Sequence, residues 1–303
     1  MAIITPGLIS ALNTDFRREF QNGLAQAQPM GDRIATRVPS TSSKNTYGWL
    51  GQFPRLREWV GDRVFKDMQA HGYEITNKKY EASVRVERTV IEDDATGTYL
   101  PAVQEMGYGA RMDPDGDIFA TLGAGLAANG YDGQHFFDTD HPVAANVDGT
   151  GAVTTASNLD AGGAGPFWYL LCTKRPLRPL IFQERQAPRF VMKANPQDSD
   201  MVFVSDVYVW GSDCRHSVGF GLWQFAYASN QEFNSANLLA AYQAMMSVTA
   251  DGGRPLGVVP DLVVGGPTLL GKFKQTLDNE YDSAGASNTT RGLVDHMVSP
   301  WLA

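Results

Sequence analysis

NTYGWLGQFPRLREWVGDR, residues 45–63, places Tyr47, Trp49, Phe53 and Trp59 among Arg55, Arg57, Glu58, Asp62 and Arg63. The aromatic spacing of 2, 4 and 6 residues fits no single face of a helix or strand, and Gly48, Gly51, Pro54 and Gly61 break any regular element. A loop covering its own core is the plainest reading. Charges interleaved throughout speak against it, because aromatics mixed with Arg at an exposed surface are the composition of protein–protein contacts. The stretch predicts an extended loop whose rings are covered by another subunit.

On the N-terminal side, Thr5-Pro6 is a helix start, with Thr as cap and Pro where its missing N–H costs nothing. Leu8, Ile9, Leu12, Phe16, Phe20 and Leu24 recur at helical spacing, predicting an amphipathic helix to about Ala27. Residues 28–44 contain Pro29, Gly31, Pro39 and a Ser/Thr cluster and read as an extended tether. A lone amphipathic helix on a tether must dock on its own subunit or a neighbour.

On the C-terminal side, residues 73–92 alternate as a half-buried strand pair with its turn at Asn77-Lys78. A long helix-like tract follows Glu92-Asp93-Asp94, with Tyr99, Val103, Met106, Ala110, Ile118, Phe119 and Leu122 on its apolar side. Pro114 should break or bend it unless packing on both sides holds it. The Gly-rich stretch 143–165 is a loop or boundary, and 167–228 is rich in strands. Asn234 or Ser235 caps a helix, 258–264 form a buried strand, 267–277 a helix and 293–298 a last strand. Helices and strands without regular alternation favour an α+β fold.

The 303 residues, 43% hydrophobic and 19% charged, describe a globular chain. A net charge of −8 argues against coating nucleic acid, which needs clustered Lys and Arg, but permits enclosing it. Cys172 and Cys214 are too few for a disulfide framework and read as plain thiols in a reducing, aqueous compartment. No run approaches the roughly 18 apolar residues of a membrane span.

Four patterns invite chemistry. Gly266–Lys272 fits G-x-x-x-x-G-K, yet Phe273 stands where Ser or Thr belongs and Pro267 removes a cradling N–H. Asp113, Asp115 and Asp117 alternate like a calcium loop, but Ile118 and Ala124 occupy the positions of its required Gly and acid, so a charged helix start fits better. Residues 131–142, YDGQHFFDTDHP, could supply metal ligands, although a turn satisfying its own backbone is the commoner outcome. Cys214 and His216 share a strand face, compatible with nucleophile and base, with no third group visible to orient the His. A metal- or nucleotide-dependent hydrolase is the alternative these patterns leave open.

The segments 45–63, 70–88 (AHGYEITNKKYEASVRVER), 91–107 (IEDDATGTYLPAVQEMG), 131–143 (YDGQHFFDTDHPV), 179–185 (PLIFQER), 219–226 (GFGLWQFA) and 251–264 (DGGRPLGVVPDLVV) together resemble the major head subunits of Mu-like bacteriophages and prophages, in order from Ile4 to Leu302. The resemblance implies a major capsid protein of the Hong Kong 97 type, with no enzymatic activity, cofactor or metal. It implies an N-terminal arm (1–39), an extended loop (40–72), a peripheral domain with a spine helix (73–142), a strand-rich region shared between domains (143–230) and an axial domain (231–303). The expected assembly is an icosahedral virion of pentamers and hexamers enclosing double-stranded DNA, built in the bacterial cytoplasm with scaffolding, portal and decoration proteins. Expected intersubunit contacts are Tyr47, Trp49, Phe53, Arg55, Arg57, Trp59 and Arg63 in the loop and Leu12, Phe16 and Phe20 in the arm. Glu92, Asp93 and Asp94 are the candidate acidic partners.

Overall fold

The structure, a computed structural model, describes residues 5–50, 72–93, 95–147, 149–193, 200–281 and 285–302. The first helix forms where its cap and period place it. Thr5 is extended, its Oγ1 accepts from the Leu8 N–H at 3.1 Å, Pro6 opens the first turn, and α1 runs Pro6–Gln26. Strands β1 (Ala35–Pro39), β2 (Lys44–Thr46), β3 (Glu74–Thr76) and β4 (Lys78–Glu87) follow, then α2 (Arg88–Glu92) and α3 (Leu100–Ala124). Next come β5 (His141–Ala144), β6 (Val153–Ala156), β7 (Leu159–Asp160), β8 (Trp168–Leu171), β9 (Leu180–Lys193), α4 (Asp200–Ser205), β10 (Val207–Phe220) and β11 (Ala226–Ser229). The chain continues with α5 (Ser235–Met246), β12 (Thr249–Ala250), β13 (Arg254–Pro255), β14 (Leu262–Gly265), α6 (Leu270–Phe273) and β15 (Asp295–Val298).

Two sheets organise these elements. The first has the order β1-β9-β10-β4, with β1 parallel to β9 and the other neighbours antiparallel. Helices α1 and α3 cover one face of it, and Phe16, Phe20, Val86, Val103 and Trp210 form the core between. The second sheet, β15-β14-β8-β11-β7, carries all-buried strands β8 and β14 and packs Trp168 against Phe233 and Phe233 against Phe273.

Three expectations change. The tether 28–44 is partly a strand: β1 is hydrogen-bonded along β9, so the chain after α1 is built into the first sheet. The strands β3 and β4 do not pair with each other. Instead β3 pairs with β2 and β4 with β10, because Asn77 is not a hairpin turn: its amide donates to Ser40 Oγ and the Ser42 carbonyl, each at 2.9 Å. The acids at 113, 115 and 117 lie inside a helix rather than at its start.

That helix passes through Pro114 unbroken. Packing from both sides holds it. The Asp115 carboxylate, wholly buried, accepts from the N–H groups of Met30 (2.6 Å) and Gly31 (2.9 Å), while Ile118, Phe119 and Leu122 fill the core beyond. On the other side α1 crosses at backbone distance. A Cβ at Gly23 would stand 2.0 Å from the Gln104 carbonyl oxygen, and one at Gly107 2.2 Å from that of Phe20, so only glycine permits the crossing.

Candidate functional site

The candidate loop is framed by a clamp. Antiparallel pairing of Lys44–Thr46 with Glu74–Thr76 brings the two flanks of the stretch together, closed by the Tyr47 N–H donating to the Tyr73 carbonyl at 2.9 Å and by Lys44 Nζ 2.7 Å from Glu74 Oε2. The clamp is fastened to the first sheet by a buried polar cluster. Tyr47 OH donates to Gln183 Oε1 (2.7 Å), Gln183 Nε2 donates to the Ile75 carbonyl (3.1 Å) and Asn77 Oδ1 (2.9 Å), and the Tyr73 hydroxyl accepts from the Phe220 N–H (2.7 Å). Burial pushes both tyrosine phenols up, which keeps them neutral at physiological pH. The sequence reading missed Gln183, although a lone amide ending the apolar run LIF is a signal: a buried amide needs partners.

Tyr47 is therefore covered by its own chain, 3% exposed, and Trp49 is half-buried on the same core with its ring edge-on to Tyr47 at 6.0 Å. The ring and hydroxyl of Tyr47 are both engaged within its own chain. Phe53, Arg55, Arg57, Trp59, Arg63 and Asp94 lie outside the described residues.

Leu12, Phe16 and Phe20 are likewise packed within their own chain. Phe16 and Phe20 are wholly buried and Leu12 is 6% exposed, all inside the core shared by α1, α3 and the first sheet. Phe16 stands edge-on to Trp210 with centroids 4.9 Å apart. Their apolar area is already removed from water within one chain. Of the acids, Glu92 accepts from Arg88 Nε at 2.9 Å, while Asp93 is exposed at the end of α2.

The family model "Mu-like prophage major head subunit gpT" matches residues 9–302. The chain belongs to the Mu-like prophage major head subunit family. The major capsid protein of Escherichia phage Mu is 42% identical over 306 residues, covering 99% of this chain and 100% of that one. A chain from the procapsid of bacteriophage JBD30 superposes with a TM-score of 0.89 at 51% identity, covering 99% of this head subunit and all of its counterpart. A chain from the JBD30 capsid decorated with minor capsid protein trimers superposes with a TM-score of 0.76 at 38% identity, with both chains fully covered. The fold is thus the Hong Kong 97-type capsid fold, and the head subunit is a structural component of the virion, a major capsid protein and not an enzyme.

In a head subunit the four chemical patterns resolve into architecture. The 266–272 turn packs inward: Leu269 and Phe273 are buried, and a Cβ at Gly265 would lie 2.6 Å from Leu269 and 2.8 Å from Phe273. His141 is wholly buried, stacked on Trp223 at 4.0 Å, with Nδ1 2.7 Å from Asp132 Oδ2 and Nε2 3.1 Å from Asn158 Oδ1. Asn158 Nδ2 donates to the carbonyls of Phe136 and Trp223, so its oxygen faces the imidazole and both ring nitrogens are used within the chain. Among the described residues no group of three or more His, Cys, Asp and Glu is arranged to hold a metal ion, and no helix is long and apolar enough to cross a membrane.

For the Cys214–His216 pair, the structure supplies the third group that sequence reading could not see. His216 Nδ1 is 3.7 Å from Cys214 Sγ, and Nε2 is 3.3 Å from Asp117 Oδ2, an ion-pair distance without hydrogen-bond alignment. Burial pushes the Cys214 thiol up to about 11, so it is a neutral, enclosed group and no nucleophile. The cluster instead braces α3 on the sheet: Tyr80 stacks on His216 at 4.2 Å and donates to Asp117 Oδ2 at 2.5 Å.

This bracing has a pH signature. His216 first, and the Tyr80 hydroxyl after it, hold the Asp117 carboxyl below its ordinary 3.8 against the opposing effect of burial. A lowered folded value means stability present above about 3.8 and lost as the pH falls below it through the folded value. The expected result is that the difference in thermal midpoint between the wild type and Asp117→Asn narrows as the pH falls from about 6 to about 3. A difference constant over that range would refute the assignment.

Proposed function

We propose that the head subunit closes icosahedral shells as pentamers and hexamers of itself, enclosing double-stranded DNA, with the extended loop 40–72 reaching onto a neighbouring subunit beyond its clamped ends. The observation that carries this reading is the clamp: two fastened strands, joined beyond their ends by the Tyr47–Tyr73 hydrogen bond, bracket an aromatic and Arg-rich stretch of the sequence. Phe53 and Trp59, with Trp49 at the root, are the anchors. Arg55, Arg57 and Arg63 pair with a neighbour's acids, for which exposed Asp93 is better placed than Glu92, already bonded to Arg88. Covering one large aromatic contributes roughly 1.5–3 kcal/mol, and a closed shell repeats it around its symmetry.

The arm comprises 1–39, the peripheral domain 73–142 with α3 as its spine, and the axial domain 231–303, with 143–230 shared. A net charge of −8 suits a container that does not grip its DNA. Scaffolding and portal proteins complete assembly in the bacterial cytoplasm. The minor capsid trimers on the JBD30 capsid support a decoration partner as well.

Electron microscopy of the protein expressed with its phage partners tests the reading. Uniform closed shells are expected, and a persistent solitary monomer under the same conditions would overturn it. Within that system Arg57→Glu should lower shell yield about tenfold by placing like charges together. Its thermal midpoint should stay unchanged, and undiminished yield would remove the loop from the contact.

A further inference from the structure

Strand β4 ends the first sheet. It is hydrogen-bonded to β10 on one side, and among the described residues no strand pairs with the other. The opposite edge, β1, is five residues long and ends in Pro39, whereas β4 runs ten residues without a proline. Val86 is buried towards the helices and Tyr80 reaches Asp117 on the same face. Lys79, Glu81, Ser83, Arg85 and Glu87 alternate with them and are all exposed on the other face. A long open edge of this kind is a template for another strand.

We propose that β4 pairs antiparallel with β4 of a second copy about a two-fold axis through Ser83, making one continuous sheet across a subunit boundary. The inference rests on the shell-forming reading above, and the charge pattern is what selects a second copy as the occupant. An axis normal to the sheet keeps Val84 and Val86 of both copies on one side, which limits the register to shifts that preserve the faces. With Ser83 opposite Ser83, Lys79 faces Glu87 and Glu81 faces Arg85, each twice by symmetry. Centring on Ala82 instead sets Lys79 against Arg85, and centring on Val84 sets Glu81 against Glu87. Of these neighbouring registers only the one through Ser83 is complementary.

Ser83→Cys tests the register directly. Opposed Cα atoms in an antiparallel pair stand about 4.5–5.5 Å apart, within disulfide reach. Oxidised shells of this variant should give covalent dimers and no longer ladder on a non-reducing gel, and wild-type shells none, since Cys172 and Cys214 are buried. Glu81→Arg and Arg85→Glu should each lower shell yield about tenfold with unchanged thermal midpoints, and the double variant should restore it. Shells that form without the cross-link, or a double variant no better than the singles, would overturn the pairing alone. Failure of the wild type to form shells with its phage partners would overturn the shell-forming reading and the pairing with it.

Discussion

A subunit carrying Gly107→Ala is expected to lose about 3 kcal/mol of stability, although alanine is the better helix former. The intrinsic gain of Gly→Ala inside a helix is about 1 kcal/mol. Against it stands a new Cβ 2.2 Å from the Phe20 carbonyl oxygen and 3.0 Å from its carbon. Both are backbone atoms, so no side chain can swing aside. The helices must part by about 1 Å to restore contact distance, which loosens every dispersion contact along the seam. Phe16 and Phe20 lie in that seam, and both are wholly buried. Gly109, two residues on in the same helix, has nothing within 4 Å of its would-be Cβ. Gly109→Ala should therefore stabilise by up to about 1 kcal/mol. Urea unfolding of the two variants gives opposite signs if the crossing is as described, and equal behaviour would refute it.

Phe16→Ala is expected to cost about 3–5 kcal/mol in the isolated subunit, the range for emptying a wholly buried aromatic site. The measurement separates two views of the arm. If the apolar face of α1 met a neighbouring copy, truncation would spare the subunit's own unfolding midpoint and depress shell formation only. Packed against Trp210 in one chain, it shifts the midpoint at any protein concentration. A double-mutant cycle with Trp210→Ala should return a coupling of about 0.5–1.5 kcal/mol for the edge-on pair.

The helix at 6–26 was legible almost to the residue, because a Thr-Pro start and a run of apolar residues at helical spacing are local statements about one element. The helix cap was legible to within Asn234 or Ser235 for the same reason, and it is the Asn234 side chain that accepts from the Asn237 N–H. The partners of strands were not. Alternation in 73–87 marks strands but says nothing of which neighbour each takes, and Asn77 resembles a turn residue while its amide serves Ser40 and Ser42. Pro114 reads as a break, yet Asp115 and the glycine-mediated crossing hold the helix through it. The site divided likewise. The 45–63 stretch reads as a loop, and from residue 51 on it lies outside the described residues, while the polar cluster at Tyr47 joins it to Gln183, 136 residues away in the chain.

The sequence by itself determined that this is a non-enzymatic α+β shell subunit of the Mu-like head family, with a capped N-terminal helix, because caps, periods and family segments are carried by neighbouring residues. Only the tertiary structure decided that the aromatics of α1 face inward, that Tyr47 belongs to the clamp and that β4 is an edge among the described residues. Burial and strand order depend on what distant residues bring alongside, and no local pattern encodes which side chain will already be covered.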